Sequence, residues 1–219
     1  MSDVVLVVGA SGKTGQRIVE QLLGLGHTVR AFSRHASQLP SRPQLERVDG
    51  DVLDATAVRA AVRGVTAVIV CLGPVAGAAP DLCERGTAHV IAAMREANVR
   101  RVVCVTGAMI GLPREQLGWV YRRIQASVPE AALADRRRQE ALVRESGLDW
   151  TLVRPTRLTD GPATDRLASG AFVVGAMAHV SRSDVARFAI ESLVRDDRIG
   201  TAHTLVRASA WGTRPLRAR

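Results

Sequence analysis

Short apolar segments alternate with segments of helical periodicity along most of the chain. The first apolar segment, Val4–Val8, has no polar position, which is typical of a strand buried on both faces. In residues 16–23 the apolar positions fall on one helical face, and residues 28–32 form a second strand-like segment. This order predicts a strand, a helix and a second strand, which together make one βαβ unit.

The same alternation continues into the C-terminal part of the chain. Further strands are predicted at 45–48, 67–70, 102–105, 150–153 and 203–206, and the longer helices between them at 82–97, 131–146 and 181–193. Helical crossovers between strands of one sheet are right-handed and make those strands parallel. We therefore predict the α/β class, with a Rossmann-like doubly wound parallel sheet and helices on both of its faces.

Two segments, 109–129 and 156–178, lack a clear period, and the second is loop-like. Each follows a predicted strand directly, and ligands of doubly wound sheets bind beyond the carboxyl ends of the strands. These segments contain Trp119, Tyr121 and Phe172, three of the few aromatic residues of the chain. We therefore expect both segments to wall a substrate pocket.

A glycine-rich loop joins the first strand to the first helix. It reads Gly9-Ala10-Ser11-Gly12-Lys13-Thr14-Gly15, so its spacing is G-x-x-G-x-x-G. Between a strand and a helix, such glycines let the backbone approach a pyrophosphate, which the helix N-terminus attracts. The ending Gly12-Lys13-Thr14 is also that of a nucleoside-triphosphate loop, but that loop needs a glycine where Val7 stands. The sequence thus predicts a dinucleotide site.

The end of the second strand indicates which dinucleotide is bound. NAD sites carry an acidic residue about 20 positions beyond the glycines, which bonds the ribose 2′-hydroxyl. Here the strand ends in Ser33 and Arg34, and a guanidinium can fork onto a 2′-phosphate. We therefore predict NADPH/NADP as the cofactor. Residues 1–206 would then form one NAD(P)-binding domain, followed by a basic flexible tail at 207–219.

Composition narrows the choice of partners. The net charge is +9, but only 3% of residues are aromatic and no nucleic-acid motif is found, so we expect no nucleic-acid partner. No apolar segment approaches the ~20 residues of a membrane span, and the N-terminus leaves no room for a signal peptide, so a cytoplasmic protein without a membrane partner is expected.

Cys71, Cys83 and Cys104 are widely spaced, which argues against disulfides and a metal site. A small-molecule substrate and a monomer or homodimer are expected.

Several motifs together resemble those of a known family. They are the glycine loop, Gly50-Asp51-Val52-Leu53, the segments 67–73 and 144–148, and the helix cap at 181–185. With them, the chain resembles an atypical short-chain dehydrogenase/reductase of the NAD(P)H-binding, NmrA-like group, in particular its biliverdin-IXβ reductase (flavin reductase) branch. The likeness spans nearly the whole chain and implies a reductase on a Rossmann fold.

The resemblance also implies roles for single residues. The cofactor phosphates would be held by the glycine loop, that is by Gly9, Ser11, Gly12, Lys13, Thr14 and Gly15. Ser33 and Arg34 are added by the charge argument given above, not by the resemblance, and would bind the 2′-phosphate. Asp51 and Val52 would flank the adenine, and Leu72 and Gly73 would pass beneath the adenosine ribose. The nicotinamide end would be bordered by Thr106, Pro155, Arg157 and Leu158.

The sequence departs from the family at the catalytic positions. Classical members use a tyrosine with a lysine four residues on, whereas Tyr121 is followed by Gln125 at that position. Flavin reductases carry a serine one position after the threonine that matches Thr106, and here this residue is Gly107. The candidate catalytic residues are therefore Thr106, as a hydrogen-bond donor, together with Tyr121 and His179.

The missing tyrosine–lysine pair shapes the expected reaction. Reducing a ketone builds alkoxide charge, which is costly in a dry site without a proton donor. We therefore expect an NADPH-dependent reductase that transfers a hydride to a conjugated acceptor, such as a flavin, a quinone, an enone or a biosynthetic intermediate. Two alternatives stay open: an NAD(P)H-binding regulatory protein without turnover, and a non-redox enzyme on the same fold.

Overall fold

A computed structural model describes residues 3–73, 77, 79–164, 166–170, 172–175, 177–208 and 214–215. The strands of this described part are β1 (Val4–Val8), β2 (Thr28–Ser33), β3 (Leu45–Asp49), β4 (Ala67–Val70), β5 (Arg101–Val105), β6 (Asp149–Pro155), β7 (Arg157–Thr159), β8 (Leu167–Gly170), β9 (Phe172–Val173), β10 (His179–Ser181), β11 (Thr201–Arg207) and β12 (Arg214–Pro215). Its helices are α1 (Lys13–Gly24), α2 (Ala55–Val62), α3 (Leu82–Glu96), α4 (Ala108–Gly111), α5 (Trp119–Ser127), α6 (Glu130–Arg144) and α7 (Arg182–Ser192).

Most of these strands form one sheet of the order β3-β2-β1-β4-β5-β6-β11-β8. All neighbours in it are parallel except β8, which pairs antiparallel with β11. The strand order reverses between β1 and β4. Such a switch point opens a crevice at the carboxyl ends of the two strands, which is where ligands of this architecture bind.

Helices cover both faces of the sheet, so β1 is buried on each side. Val5 and Val7 point into a core shared with α1 and α7, and α1 packs against α7. Leu6 and Val8 point into the opposite core, where α3 packs against both α2 and α6. Because side chains alternate across a strand, a strand buried on both faces must be apolar throughout. The predicted doubly wound α/β fold is thereby confirmed.

The local patterns located the central strands but missed the pairings made at a distance. The loop expectation for residues 156–178 is wrong for part of that segment. There β7 pairs with β10, β8 extends the main sheet along β11, and β9 pairs with β12 of the basic tail. Each partner lies elsewhere in the chain, so no local period marks these short strands. Residues 109–129 contain the helices α4 and α5.

Within the described residues, no helix has both the length and the apolar character needed to cross a membrane.

The start of α7 is fixed by a side-chain cap. The hydroxyl of Ser181 accepts the backbone N–H of Asp184 at 2.9 Å and donates to its carboxylate at 2.8 Å. The same carboxylate accepts the backbone N–H of Thr164 at 2.7 Å, which ties residues 161–164 to the helix. The cap that the spacing of Ser181 and Asp184 predicts is therefore present, and it positions the next residue, Arg182.

Removing this cap should destabilise the protein. Ser181→Ala deletes the acceptor for the Asp184 N–H and one donor to its buried carboxylate, so the free energy of unfolding should fall by about 1–2 kcal/mol. Urea denaturation followed by circular dichroism measures the change. Ser127→Ala, at the exposed end of α5, is the control and should stay within about 0.5 kcal/mol of the parent. A parent-like midpoint for Ser181→Ala would show that the cap adds nothing.

Candidate cofactor trough and adjoining apolar cavity

Two adjoining cavities lie at the carboxyl ends of the central strands. The first, called the trough below, has a volume of about 630 Å³ and runs along the glycine loop. The second, called the apolar cavity, has a volume of about 720 Å³ and lies between β5, β6, α5 and α6. The residues that line both are Leu82, Thr106, Arg136, Leu158 and Arg182.

The trough gathers most of the residues that the sequence singles out for a dinucleotide. Those that line it are Gly9, Ser11, Gly12, Lys13, Thr14, Gly15, Ser33, Arg34, Asp51, Val52, Leu72, Gly73, Thr106 and Leu158. Pro155 and Arg157 line the apolar cavity instead, beside Thr106 and Leu158. The structure thus brings the predicted cofactor residues together along one continuous surface.

Close backbone contacts explain two of the loop glycines. Gly9 has φ +83°, and a Cβ on it would lie 2.6 Å from the carbonyl oxygen of Cys71. A Cβ on Gly15 would lie 2.3 Å from the carbonyl oxygen of Gly9. No side chain caps α1 and no acidic residue stands in its first turn. The loop therefore leaves the amino end of α1 open to an anion.

An unpartnered polar atom lies at the end of β2. The hydroxyl of Ser33 is buried in the trough and has no hydrogen-bond partner among the residues that the structure describes. Arg34 beside it is exposed and also lines the trough. Asp49, on the neighbouring strand, accepts the backbone N–H of Ser37 at 2.8 Å and lines neither cavity. A free donor beside a guanidinium suits a phosphate.

The opposite wall of the trough depends on a glycine that the sequence reasoning missed. A Cβ on Gly86 of α3 would lie 2.8 Å from the side chain of Val52 and 3.0 Å from that of Leu72. Its absence lets α3 approach both residues. Asp51 accepts the backbone N–H of Leu53 at 2.9 Å, so it shapes the turn as well as lining the trough.

An ion-pair clasp links Lys13 of the glycine loop to Arg182 of α7 through Asp160. Arg182 donates to one oxygen of Asp160 at 2.7 Å, and the ammonium of Lys13 lies 3.9 Å from the other oxygen. Lys13 and Asp160 are both largely exposed. Exposed pairs contribute little to stability, so Lys13 can leave Asp160 at small cost.

The two irregular segments supply much of the wall of the apolar cavity. Segment 109–129 contributes Met109, Ile110, Tyr121, Ile124, Val128 and Pro129, and segment 156–178 contributes Thr156, Arg157 and Leu158. Two backbone hydrogen bonds, both of 2.8 Å, join the two segments: the N–H of Gly118 donates to the carbonyl oxygen of Val174, and the N–H of Val174 donates to that of Gln116. Trp119 is 67% exposed, and the side chain of Phe172 lies outside the described residues.

The hydroxyl of Tyr121 is engaged with the backbone. It donates to the carbonyl oxygen of Ala178 at 2.5 Å and accepts the N–H of Arg157 at 2.9 Å. Burial raises the pKa of Tyr121 above its ordinary value, against the opposing effect of the Arg157 N–H. The single proton of this candidate is therefore committed to a carbonyl, and the tyrosine fastens β7 to α5.

His179, the third catalytic candidate, is not brought to the site. It lies in β10 and lines neither cavity. Its Nδ1 lies 2.9 Å from the carbonyl oxygen of Met177. In the pairing of β10 with β7, His179 lies opposite Arg157, which lines the apolar cavity, while His179 itself does not; its catalytic role stays a prediction from residue type.

Thr106 makes a contact that changes its expected role. Its hydroxyl donates to a carboxylate oxygen of Glu140 at 2.7 Å, and both residues are buried. The two oxygens of Glu140 also accept from Arg154 at 3.0 and 2.6 Å and from Arg144 at 2.8 Å. Burial alone would raise the pKa of Glu140. The hydrogen bonds and charge of Arg154, together with the hydrogen bonds of Thr106 and Arg144, outweigh burial and hold this pKa below its ordinary value. While this bond is made, Thr106 offers an acceptor rather than the expected donor to the cavities.

Sequence reasoning missed the buried face of α6. Besides Glu140, it presents Asp135, Arg136 and Gln139, all buried. Asp135 accepts the backbone N–H groups of Cys83 and Glu84 at 3.1 and 2.8 Å and so caps α3 from a distance. The sequence does show one sign of this buried polar face: each of these positions is polar although it lies on the side of α6 that must pack against the sheet.

The cysteines behave as small apolar residues. Burial raises the pKa of both Cys71 and Cys83 to about 12, against the charge of Arg136. Such thiols are inert as nucleophiles at neutral pH. Over the described ranges no cluster of histidine, cysteine, aspartate and glutamate is suited to a metal ion.

The sequence of this chain is similar to those of several known proteins. A family model described as NAD(P)H-binding matches residues 9–196. The chain is 39% identical over 111 residues to a 3 beta-hydroxysteroid dehydrogenase/Delta 5-->4-isomerase of Mycobacterium tuberculosis, covering 45% of this chain and 30% of that protein. It is 31% identical over 153 residues to a (4-alkanoyl-5-oxo-2,5-dihydrofuran-3-yl)methyl phosphate reductase of Streptomyces griseus, covering 69% of this chain and 47% of that protein. The chain thus spans less than half the length of either curated relative.

Among solved structures, the chain is similar to ChuY, an anaerobillin reductase from Escherichia coli. The TM-score is 0.78 and the identity 25%, with 99% of this chain and 100% of that chain covered. Unlike the curated relatives, this structure matches over its full length.

Replacing the buried carboxylate should destabilise the protein in a pH-dependent way. Glu140→Gln removes the charge that balances Arg154, so the free energy of unfolding at pH 7 should fall by about 3 kcal/mol. The pKa of Glu140 is lower in the folded than in the unfolded chain, where it is near 4.5. Its contribution is therefore complete above the unfolded value and is lost as the pH falls through the folded one. Chemical denaturation from pH 7 to pH 3 measures both.

The gap in stability between parent and Glu140→Gln should accordingly close in acid. Arg144→Gln is the matched control, because Arg144 is the more exposed partner, and it should cost less than about 1 kcal/mol. A gap below about 0.5 kcal/mol at pH 7, or one that stays constant with pH, would contradict an ionised Glu140.

Proposed function

The chain belongs to the NAD(P)H-binding family, as its sequence motifs imply, and from this premise we propose that it is an NADPH-dependent reductase of conjugated small-molecule acceptors. The observation that carries the proposal is the continuity of the trough with the apolar cavity. Thr106, at the end of β5, lines both. A dinucleotide in the trough and an acceptor in the cavity would then meet beside this residue.

The residues of the trough fit a dinucleotide phosphate. The amino end of α1 is uncapped, and the glycine contacts exclude side chains from the loop. Bound NADPH would supply the hydride. The loop backbone and Lys13 would hold its pyrophosphate, with Lys13 released from its exposed pair with Asp160.

The preference for NADPH over NADH rests on the end of β2. Ser33 offers a buried hydroxyl that has no partner within the described part of the chain, and Arg34 adds a guanidinium that also lines the trough. A 2′-phosphate would accept from both groups. NADH presents only a hydroxyl there and would leave the guanidinium without a counter-charge.

The preference for conjugated acceptors rests on the two hydroxyl candidates for a proton donor, both of which are engaged. The hydroxyl protons of Tyr121 and Thr106 are donated to a carbonyl and to Glu140 respectively. An acceptor that spreads the incoming charge over many atoms needs no strong donor at the reacting atom. The apolar walls of the cavity suit the body of such a molecule.

The named activities of similar proteins support a reductase. The Streptomyces griseus relative is named as the reductase of a dihydrofuranone phosphate, and ChuY as a reductase of anaerobillin. We extend to this chain the reaction type alone, since the curated relative is covered over 47% of its length.

Charge reversal at Arg34 should weaken NADPH binding selectively. Arg34→Asp removes the partner of the 2′-phosphate and adds repulsion, so the NADPH dissociation constant should rise about a hundredfold, with a much smaller change for NADH. Isothermal titration of each cofactor measures the ratio. Arg63→Asp, an exposed arginine at the end of α2, makes the same charge change away from the trough and should leave both constants within about twofold. Equal affinity of the unaltered protein for the two cofactors would refute the preference.

Turnover should be faster with conjugated acceptors and should depend only weakly on Tyr121. With NADPH, flavins, quinones or enones should be reduced far faster than aliphatic ketones, as followed by the loss of nicotinamide absorbance. Tyr121→Phe should lower kcat less than about tenfold, below the 10²–10⁴ typical of a general acid. Thr106→Val should lower kcat more than Tyr121→Phe does, and Thr106→Ser, which keeps the hydroxyl, should restore most of it.

Two results would change the proposed function or the role of Tyr121 in it. Efficient reduction of an aliphatic ketone, abolished in Tyr121→Phe, would make this tyrosine the acid. Tight NADPH binding with no oxidation by any acceptor would favour the regulatory or the non-redox alternative.

A further inference from the structure

Lys13 is the only lysine of the chain. The sequence has 30 lysine and arginine residues, and all the others are arginine. An arginine would bring the same positive charge to the glycine loop, but its guanidinium keeps its proton and cannot act as a nucleophile there. A lysine amine that has lost its proton is a nucleophile. Lys13 thus places the only side-chain amine of the sequence in the glycine loop.

The ammonium of Lys13 is accessible and weakly held. Its side chain is 75% exposed, and its one ion pair within the described residues is the 3.9 Å contact with Asp160. Asp160 has a second and closer partner, since Arg182 donates to its other oxygen at 2.7 Å. Loss of the Lys13 charge would therefore leave Asp160 paired, and a neutral side chain at this position should not destabilise the fold.

The trough around this amine is suited to phosphate groups. Lys13 is the first residue of α1, whose amino end has neither a side-chain cap nor an acidic residue in its first turn. The same trough contains the hydroxyl of Ser33, a residue that is only 8% exposed, and this hydroxyl has no partner within the described part of the chain. A buried donor without a partner is an independent sign of a ligand with acceptor oxygens. A small phosphate compound at the amino end of α1 would lie beside the amine.

We propose that Lys13 is a modification site at which an acyl phosphate blocks the trough. The deprotonated amine attacks the carbonyl carbon of the acyl phosphate. A C–N bond forms as the C–O bond to the phosphate breaks, inorganic phosphate leaves with the bonding electrons, and the amine proton passes to water. The product is a neutral amide whose acyl group lies in the trough. This inference rests on the proposed function only in treating the trough as the NADPH site.

Acylation of Lys13 and binding of the cofactor exclude each other. The amide lacks the charge that would pair with the pyrophosphate, and its acyl group occupies space along the glycine loop. The NADPH dissociation constant should therefore rise at least about tenfold after acylation. Bound cofactor would in turn place its own phosphates where the acyl phosphate must bind, so saturating NADP+ should slow the acylation at least about tenfold.

The test compares the rates at which two amines of one protein are acetylated. Arg42→Lys adds a reference amine at an exposed position that lines neither cavity. This full-length variant is treated with acetyl phosphate, and peptide mass spectrometry gives the rate at each position. Lys13 should react at least about tenfold faster than position 42, and NADP+ should remove this advantage without changing the rate at position 42. The N-hydroxysuccinimide ester of acetic acid, which has no phosphate, should acetylate both positions at similar rates.

Calorimetric titration of NADPH before and after treatment with acetyl phosphate measures the effect on binding. The treated protein should lose affinity while its circular dichroism spectrum and urea midpoint stay those of the untreated protein. Lys13→Arg is the matched control, because it keeps a positive charge but has no side-chain amine. The NADPH dissociation constant of this variant should be the same before and after treatment, which also accounts for any acetylation of the amino-terminal amine.

Three results would overturn the inference. Acetyl phosphate could modify Lys13 no faster than position 42, both reagents could favour Lys13 equally, or the acetylated protein could keep the NADPH affinity of the untreated one. Turnover keeps this inference apart from the proposed function. A complete lack of NADPH oxidation would contradict the reductase proposal, while acetylation of Lys13 that NADP+ prevents would still support the modification site.

Discussion

One buried carboxylate organises the region where the two cavities meet. Glu140 of α6 is bonded to Thr106 at the end of β5 and to Arg154 at the end of β6. It thereby ties two neighbouring strand ends to the helix that covers them. Because a buried carboxylate needs all its partners, the three elements have little freedom to move separately. The position of Thr106 in the site depends on this bond.

The same bond sets the direction of hydrogen bonding in the site. A hydroxyl has one proton, and that of Thr106 is donated to an ionised acid. Its lone pairs remain for a ligand, so a hydrogen-bond donor, an N–H or O–H group, would be favoured there over an acceptor such as a carbonyl oxygen. With Tyr121 bonded to the backbone, the reaction that we propose would depend on placement and charge more than on acid catalysis.

The local sequence was sufficient to predict those parts of the molecule whose structure depends on local interactions. The all-apolar β1 follows from strand burial on both faces, and the glycine loop follows from close backbone approach. The polar face of α6 could not be found in this way. Glu140 is 34 residues from Thr106 and Asp135 is 52 residues from Cys83, so their partners emerge only when α6 is placed on the sheet. The short strands β7 to β10 escaped prediction for the same reason.

The distant cap on α3 has a consequence for how the chain folds. Asp81, next to the first residue of α3, makes no side-chain cap, and the first turn relies instead on Asp135 of α6. That turn cannot gain its cap from its own segment, so it should complete late, after the chain between the two helices has closed its loop. We therefore expect the part of the apolar cavity wall that α3 contributes to form late in folding. Mutations in α6 should change the rate at which α3 opens as strongly as mutations in α3 itself do.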